Sequence, residues 1–254
     1  IRDVLHGNFG KSYIYGKPAM DLIFERMPAT LELVAVAACL VLCIAIPLGV
    51  YAGAYPKRAS SKLIMSGSIL GISLPSFWVG MMMIYIFAVV LRLLPASGRG
   101  NTVMVGNVAL SIFAPGGIRY VILPAITLAL TNVATMLRLT RSGILENMRQ
   151  DYIKFARAKG VPAKSILFGH ALKNALIPVV TIFGMDLGNM IAFTTITETI
   201  FAWPGMGKLL IDAINKSDRP IIVAYLMAAA CMFVVLNFIV DILYTLIDPR
   251  IELR

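Results

Sequence analysis

Three carboxylates lie inside apolar stretches of this 254-residue sequence: Glu32, Asp186 and Asp241. A carboxylate within a membrane costs roughly a few kcal/mol or more, so each is by default a candidate for an ion or substrate pathway. Glu32 stands near the start of its stretch, which favours a snorkelling or capping acid at the interface. Asp241 lies within reach of Arg138 or Arg141, which favours a structural ion pair. For Asp186, near the middle of its stretch, two alternatives stay open: lining a pathway or packing against a neighbouring helix.

Other arrangements that could support catalysis or ligand binding are missing from the sequence. Residues 7–12 are similar to a phosphate-binding loop, but Leu5 stands where that motif requires its first glycine. The two histidines, His6 and His170, fall on opposite sides of the predicted membrane, which excludes a two-histidine metal site. No serine has the glycine-flanked setting of a hydrolase nucleophile. The sequence therefore predicts no enzyme activity, no metal and no cofactor in this chain.

The composition is that of an integral membrane protein. The chain is 59% hydrophobic and 14% charged, with a mean hydropathy of +0.83. Ordinary soluble domains have roughly 25% charged residues, so this composition excludes a disordered chain and argues against a soluble enzyme. The net charge of +10 is better explained by basic loops that set membrane orientation than by nucleic-acid binding. The three cysteines, Cys39, Cys43 and Cys231, lie in apolar runs, and we expect them to be small core residues.

Five segments are long and apolar enough to span a bilayer, which needs about 20 residues each. We predict an all-α, polytopic membrane helical bundle, because neither an open sheet nor an alternating barrel pattern fits these segments. The second segment contains Pro75, which favours a kink or a break. The predicted spans are residues 30–54, 63–91, 120–137, 174–197 and 221–247.

Basic residues outside the spans predict the orientation. The turn at 55–62 has no acidic residue, and residues 138–173 contain eight basic and two acidic residues. Both connections are therefore expected on the cytoplasmic side. Residues 1–29, 92–119 and 198–220 then fall on the opposite side. A sixth span before Ile1 would return the amino terminus to the cytoplasm, so we expect the native chain to be longer there.

Glycine pairs four residues apart occur three times within the spans. Such pairs let two helix backbones approach closely, in the same chain or in a partner. They are Gly49 with Gly53, Gly67 with Gly71, and Gly184 with Gly188.

The connection at 138–173 is too long for a simple turn and is predicted to contain two helices. Asp151 is placed to cap or complement the first helix, and Lys159 favours its carboxyl end. Gly160 supplies a left-handed residue after that helix, and Pro162 prevents its continuation. Such a knob could insert into a groove of a soluble partner, although a solvated basic loop that only sets topology is the alternative.

The same connection resembles the cytoplasmic coupling loop of ABC-transporter permeases. The similarity is carried by Ala156-Arg-Ala-Lys-Gly160 and by His170-Ala-Leu-Lys-Asn-Ala-Leu-Ile-Pro178. More specifically, these residues resemble the dipeptide/oligopeptide/nickel branch of the permeases. The opening Gly-Asn-Phe-Gly block resembles the B-type subunit of that branch. Further blocks match in order along the chain: Leu31-Glu-Leu33, Leu94-Pro-Ala-Ser-Gly98, Leu137-Arg-Leu-Thr-Arg-Ser142, Glu198-Thr-Ile-Phe-Ala-Trp-Pro-Gly205 and Asp248-Pro-Arg250.

This resemblance implies the ABC-importer permease fold in the bacterial inner membrane. It implies that the chain imports di- or oligopeptides, or a related solute such as a nickel chelate, by alternating access. The implied partners are a second homologous permease subunit, two ABC ATPase subunits that hydrolyse ATP, and a periplasmic solute-binding protein. The implied coupling residues are Asp151, Ala156, Arg157, Ala158, Lys159 and Gly160.

Residues 198–220 are expected to form a periplasmic re-entrant turn and short helix at the outer mouth, because helix breakers interrupt this stretch. It would act as a gate or binding-protein contact through Glu198, Trp203, Pro204 and Gly205. The alternative is an interfacial tryptophan anchor on a tight turn. On this division, residues 1–29 form a periplasmic segment and residues 30–254 the transmembrane permease domain. The alternative function is a self-sufficient secondary transporter or channel, with Glu32, Asp186 and Asp241 as its membrane carboxylates.

Overall fold

A computed structural model of the chain describes residues 9–106 and 108–247, with side chains described except at residue 241 and residues 243–247. The predictions that involve His6, residues 7 and 8, the Asp241 side chain and residues 248–250 lie outside this part of the chain.

The described residues are predominantly helical. The α-helices are α1 (Ala19–Ala54), α2 (Ala59–Ser73), α3 (Ser76–Met83), α4 (Ile118–Asn147), α5 (Asp151–Ala158), α6 (Ala163–Ser165), α7 (Leu172–Ile200), α8 (Met206–Asn215) and α9 (Arg219–Ile247). Among the described residues, two stretches of π-helix occur, at Ile84–Val90 after α3 and at Ile166–Ala171 between α6 and α7.

Four continuous helical stretches within the described ranges are long and apolar enough to cross a membrane, and a broken pair of helices would make a fifth if it crosses as one span. The pair is Ala59–Ser73 with Ser76–Val90, and the break falls at Leu74 and Pro75. Pro75 restricts the preceding residue to extended backbone, and Leu74 has a ψ of 131°. The helical membrane architecture and the break at Pro75 are thus confirmed, and the predicted count of five spans holds if the broken pair crosses the membrane as one span.

Helix α1 begins at Ala19, well before the predicted span at residue 30. Its first three turns alternate charged residues with the buried Leu22 and Ile23, so a uniformly apolar window does not detect them. These side chains pack against α8 and the start of α9, where Leu209 and Tyr225 are also buried. This added helix brings the start of α1 to the loop that carries the candidate gate residues.

The chain divides into two compact units. The first contains residues up to Ala37, Pro75–Leu128 and Leu187–Leu236. Besides helices it contains a small antiparallel hairpin, β1 (Val103–Val105) and β2 (Val108–Leu110), in which Met104 pairs with Ala109. The residue pattern along the chain does not predict this hairpin, because each strand is only three residues long.

The second unit contains Ala38–Leu74, Ala129–Asp186 and the chain from Asn237. Its packing depends on close approach of α1 to α4. A Cβ atom on Gly49 would lie 2.8 Å from the Leu137 carbonyl oxygen, and one on Gly53 would lie 2.8 Å from Ile144. The glycine pair on α1 is therefore a packing surface, as predicted. Gly67, by contrast, has no atom within 4 Å of the position that a Cβ atom would take.

The three cysteines are exposed free thiols, so the prediction that they are core residues is wrong. Apolar runs in a membrane helix cover all its faces, and sequence hydropathy alone does not separate the packed face from the outward face.

Candidate functional site

Two groups of predicted functional residues occupy separate units of the fold. The coupling segment, residues 151–160, belongs to the second unit. The Glu198 cluster, which we define as Thr30, Glu198, Trp203 and Met206, belongs to the first.

The coupling segment begins with a solvated helical turn. Gln150 is the N-cap residue and makes no side-chain capping bond, so Asp151 is in the first turn and does not cap the helix. Asp151 instead accepts a hydrogen bond from Lys154 Nζ at 2.7 Å, and this contact lowers the pKa of the Asp151 carboxyl below its ordinary value. Its negative charge also complements the helix dipole.

The coupling segment ends in a complete Schellman turn. Gly160 has a φ of +80° and donates its N–H to the Arg157 carbonyl, while Val161 donates to the Ala156 carbonyl at 3.1 Å. The first predicted helix thus ends at Ala158, and the left-handed residue is Gly160, as predicted. Because Pro162 follows, the chain cannot continue the helix and turns into α6.

Helix α5 has one anchored face and one free face. Ile153 is fully buried with Ile144 and Ile166, and Ala156 packs against the same cluster. On the other side, the Phe155 ring is 62% exposed and the Lys159 ammonium lies 4.5 Å from its centroid. Arg157 and Ala158 are also exposed. The exposed face of α5 is therefore a short ridge of apolar and basic side chains, and the opposite face of the helix is buried.

A hydrogen-bond bridge fixes the same helix to the two long helices of its unit. Tyr152 donates its hydroxyl to Asn147 Oδ1 at 2.7 Å, at the end of α4. The Tyr152 oxygen in turn accepts a bond from Asn174 Nδ2 at 2.9 Å, near the start of α7. One phenol group therefore connects α5 to both α4 and α7.

The centre of the Glu198 cluster is a fully buried carboxylate. Thr30 donates its hydroxyl to Glu198 Oε1 at 2.6 Å and accepts the Met206 N–H at 2.9 Å. The Lys208 N–H donates to Glu198 Oε2 at 2.9 Å. Glu198 is thus held between α1, the end of α7 and the first turn of α8, which satisfies polar groups that would otherwise be buried without partners.

The Trp203-Pro204-Gly205 turn closes over this carboxylate. Trp203 is fully buried and donates its indole N–H to the Ala29 carbonyl at 2.9 Å, a geometry that does not fit an interfacial anchor exposed to lipid. A Cβ atom on Gly205 would overlap the Glu198 carboxylate, so only glycine fits there. The predicted short helix follows as α8, from Met206. Pro204 lines a cavity of about 190 Å³ together with Arg26 and Lys208.

Glu32 forms a buried ion pair. It is 5% exposed and accepts hydrogen bonds from the Arg99 guanidinium and from the backbone N–H groups of Ser111 and Ile112, each of the latter at 2.7 Å. The favoured interpretation of a snorkelling or capping acid is therefore wrong for Glu32, which anchors the hairpin segment to α1. A sequence window could not identify Arg99 as its partner, because 67 residues separate the two.

Asp186 lies on α7 between Gly184 and Gly188 and is half-buried. A Cβ atom on Gly184 would collide with the Val240 side chain, and one on Gly188 would lie 2.6 Å from the Phe233 ring. The glycine face of α7 therefore packs tightly on α9.

Several residues of these two groups carry no signal that the sequence analysis could use. Tyr152, Asn147 and Asn174 are single polar residues that match no motif, and Thr30 is the first residue of its predicted span. Their partners are distant in sequence, as in the 168 residues between Thr30 and Glu198, so only the tertiary fold reveals the pairs.

The long apolar helices and the short anchored helix between two of them define a polytopic helical membrane protein. A family described as the binding-protein-dependent transport system inner membrane component matches residues 45–253. The match covers most of the chain, so this protein belongs to that family and is a permease subunit of an ABC importer in the bacterial inner membrane. Membership decides against the alternative of a self-sufficient secondary transporter or channel. Importers of this family generally work with ATPase and binding-protein partners.

Relatives match along almost the whole chain. The oligopeptide transport system permease protein AppB of Bacillus subtilis (strain 168) is 41% identical over 99% of this chain and 78% of the relative. The dipeptide transport system permease protein DppB of Escherichia coli (strain K12) is 35% identical over 99% of this chain and 79% of the relative.

Solved structures confirm the fold. The inward-facing MetNI methionine ABC transporter has a chain that superposes with a TM-score of 0.69 at 16% identity, covering 90% of this chain and 97% of that one. An amino acid ABC transporter crystallised with histidines matches with a TM-score of 0.57 at 14% identity, covering 91% and 94%.

Proposed function

We propose that the chain forms part of the translocation pathway of an importer for di- and oligopeptides that works by alternating access. The observation that carries this proposal is identity of 35–41% with relatives named as dipeptide and oligopeptide permeases over 99% of the chain. A nickel chelate is not needed to account for any of these similarities. The complete importer contains a second homologous permease subunit, two ABC ATPase subunits and a periplasmic solute-binding protein. ATP is hydrolysed by the ATPases, since this sequence contains no nucleotide-binding motif.

The coupling segment receives the motion of an ATPase. The exposed Tyr152, Phe155 and Lys159 side chains offer a ridge that fits a groove, and the buried Ile153 prevents the helix from lifting away alone. Asp151 and Arg157 add charged contacts, while Ala156 and Ala158 keep the helix narrow. Since Gly160 sets the angle between α5 and the helix that leads into α7, the pair moves as one near-rigid body.

The Glu198 cluster forms part of a gate or binding-protein contact on the periplasmic side, formed by residues 1–29 and 198–220. On this orientation, residues 138–173 are cytoplasmic, as their excess of basic residues favours. The cavity beside Pro204 and Gly205 supports the proposal, because it opens next to a half-buried cation, Arg26. The buried Glu198 and Trp203 give this loop a defined shape.

Asp186 is a candidate for the translocation path. It is a half-buried carboxylate within a long apolar helix, and acidic residues in such helices commonly mark a substrate or ion pathway. An Asp186→Ala variant tests the role, with Asn189→Ala, one turn along the same helix, as the matched control. A pathway residue predicts loss of peptide uptake with normal assembly in Asp186→Ala alone. Unchanged ATP-driven uptake in that variant would assign Asp186 to packing.

The function is tested by isolating the tagged full-length permease in mild detergent and identifying its stoichiometric partners by mass spectrometry. We expect a second permease and two ATPases. The complex is then placed in proteoliposomes with the binding protein, and uptake of a labelled tripeptide is measured against uptake of nickel ions. Peptide uptake that needs both ATP and binding protein supports the proposal. Nickel uptake without peptide uptake, or transport by this chain alone as a homo-oligomer, contradicts it.

A further inference from the structure

The segment between α3 and α4 has an unusual charge. Residues 92–119 contain three arginines, Arg92, Arg99 and Arg119, and no acidic residue. On the proposed orientation, this segment is on the periplasmic side, where arginines near spans are disfavoured. Each of these arginines therefore needs a compensating partner, either within the chain or outside it.

One of the three has its partner within the chain. The Arg99 guanidinium is bound to the buried Glu32 carboxylate and to the Ala109 carbonyl, and it lies 5.6 Å from the centre of the Trp203 ring. Arg92 and Arg119 differ. Among the residues that the structure describes, neither side chain has a hydrogen bond or an ion pair. Both line one open cleft of about 520 Å³.

The cleft lies where two membrane-spanning elements end. Arg92 follows the π-helical stretch that ends at Val90, and Arg119 is the second residue of α4. The amino-terminal end of α4 adds partial positive charge to the cleft, beside the two guanidinium groups. Since the predicted spans end at residue 91 and begin at residue 120, each arginine lies next to the end of a span, which is the depth of lipid headgroups.

The rim of the cleft is apolar and aromatic. Leu93, which lines the cleft, is 60% exposed, and Ile118, which precedes Arg119 in the sequence, is 47% exposed. The Tyr120 ring lies against Gly100, where a Cβ atom would be only 2.6 Å from the ring. With a φ of +70° and the ring this close, only glycine fits at this position. A cationic floor with an exposed apolar edge fits an amphiphile better than a fully hydrated ion.

We propose that this cleft, lined by Arg92 and Arg119, binds the phosphodiester headgroup of an anionic phospholipid of the outer leaflet, with the acyl chains along Leu93 and Ile118. Two guanidinium groups match the oxygens of a phosphate through charge-assisted, fork-shaped hydrogen bonds. The leaflet assignment rests on the proposed orientation. The lipid would hold the loop that carries Arg99, and with it the Glu32 ion pair, at a fixed depth.

The test uses the full-length permease purified with its partner subunits, stripped of lipid and titrated with phosphatidylglycerol or phosphatidylcholine. Bound lipid is counted by native mass spectrometry. We expect the wild type to retain phosphatidylglycerol in preference to phosphatidylcholine. In the Arg92→Gln/Arg119→Gln variant, the ratio of the two retained lipids should fall about tenfold, because the charge-assisted hydrogen bonds are lost. The charge-matched Lys57→Gln/Lys62→Gln control changes two exposed cations elsewhere and should retain the wild-type ratio. The Arg92→Lys/Arg119→Lys variant keeps both charges and checks that the fold tolerates substitution.

Three results would overturn the proposal. Equal retention of both lipids by the wild type would remove the anionic preference. Displacement of phosphatidylglycerol by equimolar inorganic phosphate would mean that the cleft takes the phosphate group without a lipid. If the Arg92→Gln/Arg119→Gln variant retains as much lipid as the wild type but no longer captures the binding protein, the cleft is a protein contact. Labelling of an Asn101→Cys variant from the cytoplasmic side alone would instead contradict the orientation, and this outcome is distinct from any change in lipid count.

Discussion

The phenolic oxygen of Tyr152 lies 2.9 Å from Asn174 Nδ2, which donates a hydrogen bond to it. The same hydroxyl donates to Asn147 at 2.7 Å, so α5 is tied to α4 and α7 through one atom. Ile153, the next residue, is buried in the apolar cluster of the same unit. The helix is therefore fixed by one apolar and one polar contact that are adjacent in sequence.

A Tyr152→Phe variant should weaken coupling while leaving the fold intact. It keeps the ring and removes both hydrogen bonds, each worth about 1 kcal/mol at a partly exposed site. We expect peptide uptake per ATP hydrolysed to fall several-fold, with unchanged complex assembly. A Tyr85→Phe variant removes an exposed hydroxyl elsewhere and serves as the control. An unchanged ratio of uptake to hydrolysis in Tyr152→Phe would show that the bridge does not transmit motion.

A Gly160→Pro variant should insert into the membrane normally and uncouple hydrolysis from uptake. Proline fixes φ near −65°, whereas this position has a φ of +80°, and the lost N–H is the one that bonds Arg157. Gly160→Ala should have a milder effect, about 1–2 kcal/mol on the turn, because open space surrounds its Cβ position. Gly169→Ala, in ordinary contact only, is the local control. Normal uptake by Gly160→Pro would refute the coupling role of this turn.

A Thr30→Val variant should loosen the Glu198 cluster. The substitution preserves volume but leaves the Met206 N–H and one Glu198 oxygen without their bonds, at a cost of about 1–3 kcal/mol. We expect a lower melting temperature and faster proteolysis after Trp203. Thr127→Val is the matched control, since the buried Thr127 hydroxyl bonds the Leu123 carbonyl within its own helix. Equal melting temperatures for the two variants would mean that the cluster adds no stability.

A Gly49→Ala variant should destabilise the second unit. Its new methyl carbon would lie 2.6 Å from Thr140 Cβ and 2.8 Å from a backbone oxygen, and backbone cannot give way as a flexible side chain does. Such overpacking typically costs about 1–3 kcal/mol. Gly67→Ala, with no atom within 4 Å of the added carbon, should be neutral or slightly stabilising. Thermal unfolding in detergent measures both, and a smaller loss for Gly49→Ala than for Gly67→Ala would contradict the packing argument.

Local patterns in the amino-acid sequence are enough to predict the membrane class, the helical fold and the Schellman turn of the coupling segment. These patterns are the apolar length of the spans, the restriction that Pro75 places on Leu74, and the order Gly160 then Pro162. The family resemblance is equally local, because it rests on short motifs that keep their order along the chain.

Contacts between distant helices establish which polar groups meet. Glu32 pairs with Arg99, and Glu198 is satisfied by Thr30, because helices distant in sequence bring them together. The same contacts place Cys39 outward and Trp203 inward, although both stand in apolar surroundings. In a membrane chain nearly every face of a helix is apolar, so hydropathy does not specify which face is packed, and only contacts between helices do.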